Sequence, residues 1–150
     1  MICTRAQAVT FLYRAAGSPV VKGKEMPFAD VADDAYFYNA VLWAMENGIT
    51  KGVSETEFAP DMICTREQIV TFLYRTAISM GKDVSVGEET NILSYDDAFD
   101  ISEYAIPAFQ WSCGSGVLSG NTASTLAPKN AVSASQLEEA LRRCSENVKS

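Results

Sequence analysis

A stretch of fourteen residues occurs almost unchanged twice in this chain. Met1–Arg14 reads MICTRAQAVTFLYR and Met62–Arg75 reads MICTREQIVTFLYR, differing only at Ala6 against Glu67 and Ala8 against Ile69. A weaker third copy, NAVSASQLEEALRR, runs from Asn130 to Arg143 and keeps a hydroxyl at Ser133, a glutamine at Gln136, Leu141 and the terminal arginine. Self-similarity at a long period constrains architecture before any local pattern does, because each unit has to bury its apolar face against its neighbours. The chain therefore reads as three related units.

Each copy opens with a hydroxyl residue and a glutamine three places on: Thr4 with Gln7, Thr65 with Gln68, Ser133 with Gln136. This is a capping box, in which the hydroxyl accepts from a backbone N–H and the glutamine answers the cap's own N–H. Largely apolar residues then recur at helical spacing: Ala8, Phe11, Leu12 and Ala15; Ile69, Phe72, Leu73, Thr76, Ala77 and Met80; Leu137, Ala140, Leu141, Cys144 and Val148. Each set is one stripe of an amphipathic helix. Three such helices can bury their stripes together as a central bundle.

Arg5 and Arg66 do not follow from that account. They take the first helical position, where the macrodipole disfavours a cation. Unpaired N–H groups beside a guanidinium fork form a receptor for carboxylate or phosphate. The alternative is an arginine paired with a local acid or lying on the surface. The third copy keeps its cap but has Ala134 at this position. Cap and arginine are thus separable, and the cap is the structural part.

The chain has 150 residues, a net charge of −7 and no histidine. That length supports one domain with a proper core, or a few small units sharing one. The acidic balance argues against nucleic acid as a partner, since phosphates require a basic face. No apolar run is long enough to enter a membrane. Without histidine, the usual general base and commonest metal ligand are missing. There is no nucleophile elbow, and the adjacent acids Asp33-Asp34 and Asp96-Asp97 read as caps, so neither catalysis nor a cofactor is expected. Cys3, Cys64, Cys113 and Cys144 form no C-x-x-C pair and read as small buried hydrophobes. Met1 aligns with Met62 inside the repeat, so the first unit reads as one lacking its leading half.

Between the copies the order of residues also repeats. Gly17-Ser18-Pro19 ends the first helix, and Val20–Pro27 reads as a connector. A helix is expected over about Ala35–Asn47, capped by Asp33-Asp34. Its apolar face is Phe37, Ala40, Val41, Ala44 and Met45, with Tyr36 and Trp43 together to one side. Gly48-Ile49 is a helix stop, and Phe58-Ala59-Pro60 leads to the second capping box. In the third unit Tyr95-Asp96-Asp97 replaces Phe28-Ala29-Asp30, and Tyr104, Trp111, Gly116 and Gly120 match Tyr36, Trp43, Gly48 and Gly52. Gly81–Asn91 reads as a linker, and Pro107 either begins or bends the helix it lies in.

Taken together, Phe28-x-Asp30, Tyr36, Ala40-Val41, Trp43-Ala44, Gly48-Ile49, Gly52, Phe58-x-Pro60 and Thr65-Arg66-x-Gln68 resemble the S-layer homology domain. Its closing Thr-Arg-Ala-Glu/Gln signature is matched by Thr4-Arg5-Ala6-Gln7 and Thr65-Arg66-Glu67-Gln68. The resemblance implies an all-α fold: three repeats, at 1–19, 28–81 and 92–148, in a pseudo-threefold arrangement around a central three-helix bundle. It further implies an extracellular module that anchors proteins to the bacterial cell wall by binding secondary cell wall polysaccharide, often pyruvylated, in grooves between repeats. By carry-over, Arg5 and Arg66 contact the pyruvate carboxylate, Asp30 and Lys51-Gly52 contribute to a groove, and Trp43 supplies an apolar wall. Asp30 as a turn cap, Trp43 as core, Lys51 as a solvated charge and Gly52 as a conformational glycine are the alternatives. Ala134, and Leu118-Ser119 in place of Thr50-Lys51, put one groove in doubt. At most two working grooves are expected. A lattice or partner-docking module without glycan binding, including self-association through the incomplete first unit, is the competing function.

Overall fold

The structure, a computed structural model, describes residues 2–21, 25–118, 120, 122 and 124–148. Met1, part of the connector, and Ser119 of the pair set against Thr50-Lys51 lie outside the described residues. The fold is all-α. Its helices are α1 (Arg5–Ala15), α2 (Tyr38–Glu46), α3 (Arg66–Ser79), α4 (Ile106–Ser115) and α5 (Ala134–Asn147). None is long and apolar enough to cross a membrane.

The three capping boxes form as expected and open α1, α3 and α5. The cap N–H groups of Thr4, Thr65 and Ser133 reach the glutamine Oε1 at 2.9, 3.2 and 2.9 Å. The residues just ahead of these caps are tied in a closed ring. Cys3 N–H donates to Val132 C=O (2.8 Å), Val132 N–H to Cys64 C=O (3.2 Å), and Cys64 N–H to Cys3 C=O (2.9 Å). All three residues are buried, so each polar backbone group that leaves water finds a partner in another unit. From this ring α1 packs against α3 and α5, while α2 packs on α1 and α4 on α3. Leu12, Leu73 and Leu137 lie in the shared core.

Cys3 and Cys64 are free thiols within that core. Burial pushes both upward, Cys64 to about 12, so they stay protonated and unreactive.

Three local expectations need correction. α2 begins at Tyr38, its N-cap is Phe37 with no side-chain cap, and Asp33-Asp34 are exposed in the preceding turns. Tyr36 and Trp43 therefore do not share a helix. The linker reading fails as well: Ser85–Glu89 forms a 3₁₀ turn packed on α4. Gly87 permits this, since a Cβ there would sit 2.9 Å from the Trp111 nitrogen. Pro107 falls in the first turn of α4, where its missing N–H costs nothing.

Candidate functional site

Arg5 and Arg66 stand at the first position of α1 and α3 but are only 4% and 3% exposed. The N–H groups expected to be open to an anion are taken. Arg5 and Ala6 N–H donate to Met62 and Pro60 C=O at 2.8 and 3.0 Å, and Arg66 and Glu67 N–H to Asn130 and Pro128 C=O at 2.8 and 2.9 Å. Each arginine Nε donates to one more carbonyl of the same approaching loop, Phe58 for Arg5 (2.9 Å) and Leu126 for Arg66 (2.8 Å). Helix start and loop close on each other across units. The cation is tolerated at a positive helix end because carbonyl oxygens surround it.

Asp30 and Asp97 hold those loops in place. Asp30 accepts from Phe58 and Ala59 N–H at 2.9 and 2.8 Å, and Asp97 from Leu126 and Ala127 N–H at 2.8 Å each. Ala59 and Ala127 adopt positive φ, 60° and 50°, so the carboxylates stabilise a conformation that alanine disfavours. Asp30 thus positions the carbonyl that holds Arg5.

The Arg5 guanidinium lies 4.8 Å from the Phe58 ring centroid and 5.3 Å from that of Phe72. Its two terminal nitrogens have no hydrogen-bond partner among the described residues, and Arg5 lines a cleft of about 420 Å³. Thr50, Lys51, Gly52 and Val53 also line it, with Gln68, Thr71, Phe72 and Arg75 of α3 and Tyr104. Arg75 donates to Ile49 C=O at 3.2 Å, which ties the helix to this loop. Three cations converge on one cleft in an acidic chain. By contrast, a larger cleft of about 560 Å³ is lined by Glu88, Glu89 and Glu103 with Phe99 and Leu93, and by no cation among the described residues.

The structure therefore brings together Arg5, Lys51 and Gly52 of the expected set. Asp30 stands behind them, occupied by the loop it holds. Trp43 is elsewhere: it is core, packed at a tilt against Tyr13 with ring centroids 5.6 Å apart, so it forms no wall of this cleft. Arg66 has the same local role as Arg5 in a different setting. Where the first cleft has Thr71, Phe72 and Arg75, the same register in α5 gives Glu139, Ala140 and Arg143, with Arg143 paired to Glu139 at 3.0 Å. Sequence reasoning missed Thr50, Thr71, Phe72, Arg75 and Tyr104. Arg75 carried a signal, since an arginine ends the third copy too.

Glu67, opposite Ala6 in the first copy, is 5% exposed. It accepts from Ser102 N–H (3.1 Å), Ser102 Oγ (2.8 Å), Tyr104 OH (3.1 Å) and Lys129 Nζ (2.9 Å). Burial pushes the carboxyl upward, but the donors from Ser102 and Lys129 outweigh it and leave it below the ordinary glutamate value. A depressed carboxyl stabilises the fold above its unfolded value, near 4.3, and that contribution disappears as pH falls through the folded value. Glu67→Gln is thus expected to cost about 1–3 kcal/mol at neutral pH and to flatten the acid limb of the stability curve. Urea titrations between pH 7 and 3 check this; parallel curves for the two proteins would refute it. Burial and the Glu67 carboxylate push Tyr104 up to about 12, so it remains a neutral donor.

Helix starts closed by loops from elsewhere in the chain, with a cation-lined cleft beside one such joint, define an all-α module. Residues 27–70 match the S-layer homology domain, and the chain carries a domain of that family in this segment. It is similar to a surface-layer 125 kDa protein of Lysinibacillus sphaericus, 28% identical over 148 residues, covering 97% of this chain and 12% of that protein. An endoglucanase of Bacillus sp. (strain KSM-635) is 33% identical over 126 residues, covering 84% of this chain and 13% of the enzyme. The chain thus spans about an eighth of the length of these relatives.

Proposed function

We propose that this chain is a non-catalytic attachment module that holds a larger protein at the bacterial cell surface by binding an acidic wall polysaccharide, with a pyruvylated sugar in the Arg5 cleft. The observation that carries the reading is the convergence of Arg5, Lys51 and Arg75 on one cleft with aromatic surface from Phe72 and Tyr104. A carboxylate satisfies the guanidinium nitrogens, and sugar hydroxyls suit Thr50 and Thr71. A single segment shared by a surface-layer protein and an endoglucanase is what an attachment module requires. The units at 1–19, 28–81 and 92–148 form the pseudo-threefold arrangement of this reading. The hydrogen-bonded ring through Cys3, Cys64 and Val132 supports it. The Arg66 position binds more weakly or not at all, because Glu139 neutralises Arg143.

A docking role is favoured by one separate observation. No carbonyl among the described residues takes the first-turn N–H groups of Ala134 and Ser135 in α5, whereas the loop carbonyls take those of α1 and α3. A loop from a second copy fits that end, which is how self-association would arise. Calorimetric titration with wall glycan bearing and lacking the ketal separates the readings. Ketal-dependent binding, weakened about tenfold by the exposed change Lys51→Glu, is expected for attachment through the cleft. No heat with either glycan from folded protein leaves only docking.

A further inference from the structure

We propose that Glu67 is a positioning residue for ligand binding: it draws Tyr104 of the third unit over the Arg5 cleft, so that Tyr104 is the aromatic platform on which the sugar ring rests. The inference deepens the cleft reading above and rests on it. Among the described residues, Tyr104 is the one cleft residue that comes from the third unit, whose own arginine position is Ala134. Tyr104 as a whole is 48% exposed, while its hydroxyl donates to the buried Glu67 carboxylate at 3.1 Å. That leaves an aromatic face open beside Arg5, at little entropic cost on binding, because the side chain is already held.

The chain contains its own comparison. The first copy has Ala6 where the second has Glu67, and the matching tyrosine, Tyr36, is 65% exposed and rests edge-on against Phe37 with centroids 5.0 Å apart. With no carboxylate at that position, the tyrosine is not drawn in. Glu67 reaches Tyr104 within a rigid set: Lys129 Nζ bonds both Glu67 (2.9 Å) and Ser102 Oγ (2.7 Å), so the carboxylate is held from the third unit as well. The acidic side chain is spent on these donors, and Tyr104 stands between it and the ligand. Glu67 therefore orders the cleft rather than touching what binds there.

The test uses the whole chain and a hexosamine glycoside carrying a pyruvate ketal as probe. Dissociation constants are measured for wild type, Tyr104→Ala, Tyr104→Phe, Glu67→Gln and the double variant Glu67→Gln/Tyr104→Ala, each verified as folded by circular dichroism. Tyr104→Ala is expected to weaken binding about tenfold, and Tyr104→Phe and Glu67→Gln about threefold each, since both release the ring without removing it. The double variant should bind like Tyr104→Ala alone, because Glu67 acts through the tyrosine. A Tyr104→Ala protein with wild-type affinity, or additive losses in the double variant, overturns the inference while leaving the cleft reading intact. A wild-type protein that ignores the probe overturns both.

Discussion

Arg5→Ala is expected to lower the unfolding free energy by about 2–4 kcal/mol and to weaken glycan binding by about 1.5–3 kcal/mol, two losses with separate origins. The stability loss comes from the buried part of the side chain. Phe58 C=O loses its Nε donor, and the space between the Phe58 and Phe72 rings is left unfilled. The loop that Asp30 braces then has only Met62 and Pro60 C=O to hold it to α1. The binding loss comes from the two terminal nitrogens, which have no hydrogen-bond partner among the described residues. Arg66→Ala should cost similar stability, through Leu126 C=O, and far less affinity, because the α5 positions that correspond to Thr71 and Arg75 hold the paired Glu139 and Arg143. Denaturant unfolding and calorimetry on both variants give the four numbers. Equal affinity losses would show that the two arginines serve equivalent grooves; an undiminished stability in Arg5→Ala would show that the Phe58 contact contributes nothing.

What could be read from the sequence follows from the distance over which each interaction acts. Capping boxes span three residues, so Thr4, Thr65 and Ser133 announced α1, α3 and α5 directly. Gly48 and Gly116, at φ of 71° and 74°, ended α2 and α4 for the same local reason. The arginines were recognisable as anomalies at a helix start, but their partners lie 53 and 60 residues away. No spacing argument reaches that far, so the oxygen atoms that neutralise them had no local signal. Tyr36 was grouped with Trp43 because helical phase was extended back past the first turn of α2, which begins at Tyr38. Val9 and Val70 fall outside the amphipathic stripes and are fully buried, since neighbouring units cover α1 and α3 on more than one side. The polar composition of Gly81–Asn91 concealed a turn that approaches α4 closely through glycines on both sides: Gly87 of the turn faces the Trp111 backbone, and Gly114 of α4 faces Val86 and Thr90.

The same contrast between local and distant causes gives a second large effect at Gly52. It has φ of 80°, and a Cβ placed there would lie 2.5 Å from Phe28 Cε1, 2.6 Å from Glu57 C=O and 2.8 Å from Ser54 C=O. Two of those three neighbours are backbone and cannot rotate away. Gly48 has a similar φ of 71° but nothing within 4 Å. Gly48→Ala should therefore cost only the left-handed penalty, about 1–2 kcal/mol. Gly52→Ala carries that penalty plus overpacking, for about 2–5 kcal/mol in all. The loop can relieve the clash only by moving, and Thr50, Lys51 and Val53 move with it. Glycan affinity should then fall more than tenfold in Gly52→Ala and stay near wild type in Gly48→Ala, although both proteins remain folded at low temperature. If the two alanine variants match in stability and in affinity, the loop is loosely packed in solution, and Lys51 is a solvated charge rather than part of a built cleft.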